Sequence, residues 1–154
     1  MILYGVDPGA SGGIAWQIGT REPRAIAMPA TEVDTFLAFE QPDSSERPGG
    51  HHMIAVIEKV HSRPGEGVSS AFKFGWNYGG LRMAILAAGI RLEEVTPYTW
   101  QKALGIPKRK PNESKTQFKN RLKARAQELY PGMKVTLKTC DALLILEYAK
   151  KVIR

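Results

Sequence analysis

The sequence predicts an α/β protein: a five-stranded mixed sheet with helices on both faces. Three observations carry this. Segments of strand length recur at 2–6, 13–18, 24–28, 53–57 and 91–95, the first and fourth of them nearly continuous apolar runs. The first three are joined by short glycine- or proline-bearing turns, the pattern of an antiparallel meander. The last two are separated by stretches of helical spacing, as parallel strands require.

Each element has a local cause. The run Leu3-Tyr4-Gly5-Val6 ends at Asp7 and enters Pro8-Gly9-Ala10-Ser11-Gly12-Gly13, a turn that feeds a return strand from Gly13 to Ile18. The stretch Gly19-Thr20-Arg21-Glu22-Pro23 then turns the chain into the third strand. Thr31 is placed to cap a helix through Phe39, with Glu32 and Asp34 in its first turn. Residues 41–52 are rich in Pro, Ser, Gly and charge and predict a loop. Met53-Ile54-Ala55-Val56-Ile57 is a continuous apolar run, suited to a central strand covered on both faces, and ends at Glu58.

After a loop from His61 to Gly67, a long helix is expected over 69–88. Phe72, Trp76, Leu81, Ile85 and Leu86 supply its apolar face, while Gly75, Gly79 and Gly80 weaken it and suggest close approach of a neighbour. Arg91 to Val95 is a strand, and Pro97 opens a helical turn through Leu104. Ser114 caps an amphipathic helix to Tyr130, whose exposed face is expected to carry Lys115, Lys119, Arg121, Lys123 and Arg125. A last helix runs over 139–152, with Ala142, Leu143, Ile145, Leu146 and Ala149 available for burial.

Bulk properties narrow the function. With 154 residues the chain is expected to form one domain with a real core. A formal charge of +7 favours a polyanionic partner, most simply nucleic acid. The single Cys140 excludes an internal disulfide and a multi-cysteine zinc site. The opening residues lack the basic region of a secretory leader and no run approaches a membrane span, so a cytoplasmic protein is expected.

Three acids then stand out. Asp is disfavoured in strands, so Asp7 at a strand end is either a turn-initiating residue before Pro8 or a metal ligand. Glu58 ends a second strand, and if the two strands are parallel neighbours both carboxylates emerge at one end of the sheet. Asp141 opens the last helix, where it either complements the helix dipole or joins the other two. Three converging carboxylates repel one another, and Mg²⁺ or Mn²⁺ with its oxygen ligands relieves that. Paired divalent ions support phosphodiester hydrolysis. Acids and basic charge together imply a metal-dependent nuclease.

These residues resemble the RuvC-type Holliday-junction resolvases of the RNase H-like superfamily, especially compact phage relatives. The similarity lies in Ile2-Leu3-Tyr4-Gly5-Val6-Asp7-Pro8-Gly9 with Ser11-Gly12-Gly13, and in Val56-Ile57-Glu58-Lys59-Val60. It continues through Ser70-Ala71-Phe72-Lys73-Phe74-Gly75, Val95-Thr96-Pro97 with Trp100 and Lys102, and Asp141-Ala142-Leu143-Leu144-Ile145. The resemblance implies an RNase H-like fold, a homodimer, and Mg²⁺- or Mn²⁺-dependent symmetric nicking of four-way DNA junctions with two ions per site. Helix 69–88 is the candidate dimer interface, with Phe72, Trp76 and Tyr78 read as helix-packing or interface residues. No small-molecule cofactor or membrane is implied. It places Asp7, Glu58 and Asp141 in the metal site. The family's fourth acid is replaced by Lys138, which could orient water, neutralise the scissile phosphate or stand in for a weakly held second ion.

Lys59, His61 and Arg63 follow the second acidic strand and are expected on the rim of the site, with His61 or Val60 as candidates for a wedge into the junction. Lys73 and the cluster Lys108, Arg109 and Lys110 are the other expected DNA contacts, and Lys115, opening a helix after that cluster, is the expected catalytic or phosphate-clamping lysine. Cys140, beside a carboxylate, should stay protonated. Three rival readings remain: a phosphate-binding ATPase of the actin and sugar-kinase type, a non-catalytic branched-DNA-binding module, and a nuclease for other branched or RNA-containing substrates.

Overall fold

A computed structural model describes residues 1–40, 52–61, 65 and 67–153. The expected loop over 41–52 therefore lies outside the described residues except for His52, as does Arg63.

The chain order is β1 (Ile2–Asp7), β2 (Gly13–Ile18), β3 (Arg24–Ala27), α1 (Glu32–Glu40), β4 (Met53–Glu58), α2 (Val68–Ala87), β5 (Arg91–Val95), α3 (Pro97–Ala103), α4 (Lys115–Leu129) and α5 (Cys140–Val152). The strands lie in the order β3-β2-β1-β4-β5. β1, β2 and β3 are antiparallel, whereas β1, β4 and β5 run parallel. This is the mixed sheet the sequence predicts. The expected caps also form. Thr31 Oγ1 accepts from the Asp34 N–H at 3.1 Å, and Ser114 and Gln117 make a reciprocal capping box.

Alternation along the central strands divides the core. Ile2, Tyr4, Val6, Ala55 and Ile57 face a layer that includes Phe39 of α1 and Leu81, Ala84 and Ile85 of α2. Leu3, Ile54 and Val56 face the opposite layer, built on Trp100, Leu122, Ala126 and the apolar side of α5. By the same period of two, Gly5, Asp7 and Glu58 belong to the α5 side. Gly5 has a specific task there. A Cβ at this position would lie 2.3 Å from the Ala142 carbonyl oxygen and 2.3 Å from the Leu146 nitrogen. Its missing side chain lets the first turns of α5 rest directly on β1.

The long helix departs from expectation. Leu81 and Ile85 are buried, but Phe72, Trp76 and Leu86 are exposed, together with Val68 and Met83. A Cβ on Gly75, Gly79 or Gly80 would meet nothing within 4 Å. The close approach expected of these glycines is therefore not made by the described residues of the same chain. No helix among the described residues is long and apolar enough to cross a membrane.

Candidate active site

The β1–β4 register pairs Val6 with Ile57, so the next residues, Asp7 and Glu58, leave neighbouring parallel strands side by side. Asp7 is held from behind by the turn. A Cβ at Gly12 would sit 2.1 Å from the Asp7 carbonyl oxygen and 3.0 Å from its carboxyl carbon, so only glycine permits this closeness. Asp141 arrives from the first turn of α5, which the Gly5 contact sets against β1. Three acids distant in sequence thus reach one end of the sheet.

Glu58 is oriented by α3. The Trp100 side chain is fully buried, and its indole N–H donates to Glu58 Oε2 at 2.7 Å. Burial pushes the Glu58 carboxyl up to about 7; the Trp100 hydrogen bond opposes this, and the charges of Asp7 and Asp141 add to it. Burial, followed by Asp141, likewise pushes Asp7 up to about 6, against the pull of Lys119. The acids are close enough to feel one another.

Lys119 is the residue the sequence reading placed elsewhere. Instead of lying on the exposed face of α4, it turns inward, its Nζ in ion-pair contact with Asp141 Oδ2 and 3.5 Å from Asp7 Oδ2. Burial disfavours its charge, but Asp141 and Asp7 outweigh that and hold the ammonium up to about 12. A signal for this was present. Residues 119, 122 and 126 share one helical stripe, and Leu122 and Ala126 are buried. A lysine on a buried stripe requires an anion.

The other expected site residues are distributed around this centre. Lys115, one turn earlier on α4, is exposed, and it is Lys119 that reaches the carboxylates. Lys138 is exposed too and shares a cleft of about 480 Å³ with Lys73, Asn77 and Gly9, beside the turn that follows Asp7. Lys59 and His61 are exposed past the end of β4, where the Lys59 N–H donates to the Val95 carbonyl at 2.7 Å. Lys108, Arg109 and Lys110 are all exposed on a loop held by α4. Arg121 donates to the carbonyls of Pro107 and Lys108 and pairs with Glu113 at 3.0 Å. Cys140 Sγ lies 3.3 Å from Asp141 Oδ1, and burial, reinforced by that carboxylate, pushes its thiol up to about 12. It stays protonated, as expected.

The donor set is one of hard oxygens with more negative charge than a single ammonium offsets, which suits a divalent ion such as Mg²⁺. Among the described residues, however, no three His, Cys, Asp or Glu side chains are grouped so that they could hold one ion. Lys119 Nζ supplies the positive charge between Asp7 and Asp141.

Comparison with known proteins places the architecture. No family model matches the chain, and no curated protein matches it. Solved structures do. Thermus thermophilus RuvC superposes with a TM-score of 0.57 at 16% identity, over 98% of this chain and 96% of that one. The chain has the RuvC fold. T. thermophilus RuvC in complex with Holliday junction substrate gives a TM-score of 0.61 at 14% identity, covering 99% of this chain and 97% of the other. The RNase H-like architecture implied by the sequence resemblance is thereby shown, over nearly the whole chain.

Proposed function

We propose that this chain is a single nuclease domain that resolves four-way DNA junctions by metal-dependent, symmetric phosphodiester hydrolysis. The observation that carries the reading is the meeting of Asp7, Glu58 and Asp141 at one sheet end within a RuvC fold. RuvC itself has been captured on a Holliday junction, and the basic surface of this chain suits the same class of ligand.

In this reading Asp7, Asp141 and Glu58 would be the residues that hold Mg²⁺ or Mn²⁺, two ions per site, and bound there the metal would supply activation of water and neutralisation of charge on the scissile phosphate. The chain's own residues do the rest. Trp100 fixes one oxygen of Glu58 and so sets the angle of its carboxylate. The Arg121–Glu113 clamp presents Lys108, Arg109 and Lys110 to the DNA backbone, while Lys59, His61 and Lys73 line the rim. Arg63, the remaining DNA contact expected from the sequence, lies outside the described residues. The 5′-phosphate and 3′-hydroxyl products follow from water attacking phosphorus with loss of the 3′ oxygen.

The exposed apolar stripe of α2, formed by Val68, Phe72, Trp76 and Met83 with Gly75 and Gly79 beside it, supports a homodimer. A C₂ pair would place two sites in the two-fold relation that paired junction cuts require. The reading puts the enzyme in the cytoplasm of a bacterial or phage-infected cell. A second reading, a branched-DNA-binding module without catalysis, is favoured by Lys138 at the usual fourth acidic position and by Lys119 between two of the acids.

One experiment separates the two. Synthetic four-way junction, duplex and flap DNA are incubated with the protein in Mg²⁺, Mn²⁺ or EDTA. Paired, symmetric nicks in the junction alone, abolished by EDTA and by Asp7→Asn, are expected. Junction binding without nicking in either metal would select the binding module, and an Asp7→Asn variant cutting at the wild-type rate would remove the nuclease reading.

A further inference from the structure

We infer that Lys119 is a built-in counter-cation, which occupies the space between Asp7 and Asp141 and must withdraw for a divalent ion to enter. The inference rests on the proposed nuclease reading only in assigning the acids to metal binding; the exchange itself is argued from geometry. Lys119 Nζ contacts Asp141 Oδ2 and lies 3.5 Å from Asp7 Oδ2. Both carboxylates are 13% exposed and the lysine 30%. The ammonium is therefore enclosed with the acids rather than paired with them in solvent.

Occupancy by one cation excludes the other. Mg²⁺ takes carboxylate oxygens at about 2.0–2.1 Å, and an ammonium donating to the same oxygens at hydrogen-bond distance sits in the same volume. Their like charges also repel at that separation. The absence, among the described residues, of a three-acid group that could hold an ion agrees with carboxylates positioned around an ammonium.

The exchange needs no change of fold. The backbone at the start of α4 is secured by the Ser114–Gln117 capping box and by the Arg121–Glu113 pair. Leu122 and Ala126 anchor the same stripe in the core. What can move is the flexible four-carbon stem of the lysine. Lys119 thus acts as a positioning residue that holds the acids until a divalent ion displaces it.

The test uses Mn²⁺ as probe on the full chain. Lysine acetylation by an activated ester, followed by mass spectrometry, is compared in EDTA and in saturating Mn²⁺. Lys119 is expected to be protected in EDTA and to label several-fold faster with Mn²⁺, while Lys115 and Lys123 on the same helix do not change. Calorimetric titration supplies the second readout: Lys119→Met should bind Mn²⁺ about tenfold more tightly than wild type, and Lys119→Arg, which retains the charge, should not. Equal protection of Lys119 with Mn²⁺ bound, weaker Mn²⁺ binding by Lys119→Met, or no Mn²⁺ binding by either protein would overturn the inference. Should Lys119→Met fail to fold, the wild-type labelling decides alone. Junction nicking with unchanged Lys119 labelling would sink the exchange and leave the nuclease standing; Mn²⁺-dependent labelling without nicking would do the reverse.

Discussion

Replacing Asp7 by Asn removes a carboxylate that the fold ionises reluctantly, and the consequence for stability can be worked from the site. Burial, then the Asp141 charge, lift Asp7 from its ordinary 3.8 to about 6, even with Lys119 opposing them. The folded chain therefore holds its proton more tightly than the unfolded chain. Between those two values the native state binds more protons, so stability falls as pH rises. The loss is absent below about pH 4 and complete above about pH 6. A displacement of this size corresponds to about 3 kcal/mol. Asparagine keeps the shape without the charge but forfeits part of the Lys119 contact, so a net gain of about 1–3 kcal/mol is expected in EDTA at pH 8. For a chain of this length that is roughly 3–10 °C in Tm.

The assay is thermal unfolding by circular dichroism in EDTA, from pH 4 to pH 8, for wild type and Asp7→Asn. The two Tm curves should lie close at pH 4 and separate steadily to pH 7, with the variant the more stable. Taking their difference cancels every other titrating group to first order, although Glu58, pushed up partly by Asp7, contributes to the upper end of the window. A constant gap across the pH range would refute the reasoning, because it would mean that Asp7 is not held in a charge-averse environment.

Further outcomes follow from the same contacts. Trp100→Phe removes the donor to Glu58 Oε2, so Glu58 should rise beyond about 7 and the acid limb of the cleavage profile should move up by about 1–2 pH units; an unmoved limb would exclude this role for the indole. Gly5→Ala drives a Cβ into the backbone of α5 at 2.3 Å, and urea denaturation should show a loss of about 3 kcal/mol or more. Replacing Lys108, Arg109 and Lys110 together by Ala should make the slope of log affinity against log salt shallower by about 2–3 for junction DNA; an unchanged slope would mean that this loop does not touch phosphates.

Much of the architecture is local information, and it was legible. The strand ends at Asp7 and Glu58, the caps at Thr31 and Ser114, and the meander followed by parallel strands all arise from patterns within a few residues, and the structure reproduces them. The face of α2 was not legible in the same way. Periodicity identifies an apolar stripe but not what covers it: Phe72 and Trp76, read as packing or interface residues, are exposed in the single chain, as is Leu86. Lys115 and Lys119 differ by one helical turn, and the only local sign in favour of Lys119 is that it sits directly before Leu122 and Ala126 on the stripe that becomes buried.

What belongs to the sequence by itself is the set of elements and the acids at their ends; what only the tertiary structure decided is which charges meet. Lys119 reaches Asp7 across 112 positions and Asp141 across 22, through the packing of α4 on α5 and of α5 on the bare backbone of Gly5. The physical reason is range. Hydrogen-bonding and side-chain preferences act over a turn or a strand, whereas the partner of a half-buried charge is chosen by how whole elements pack, and no local pattern records that choice.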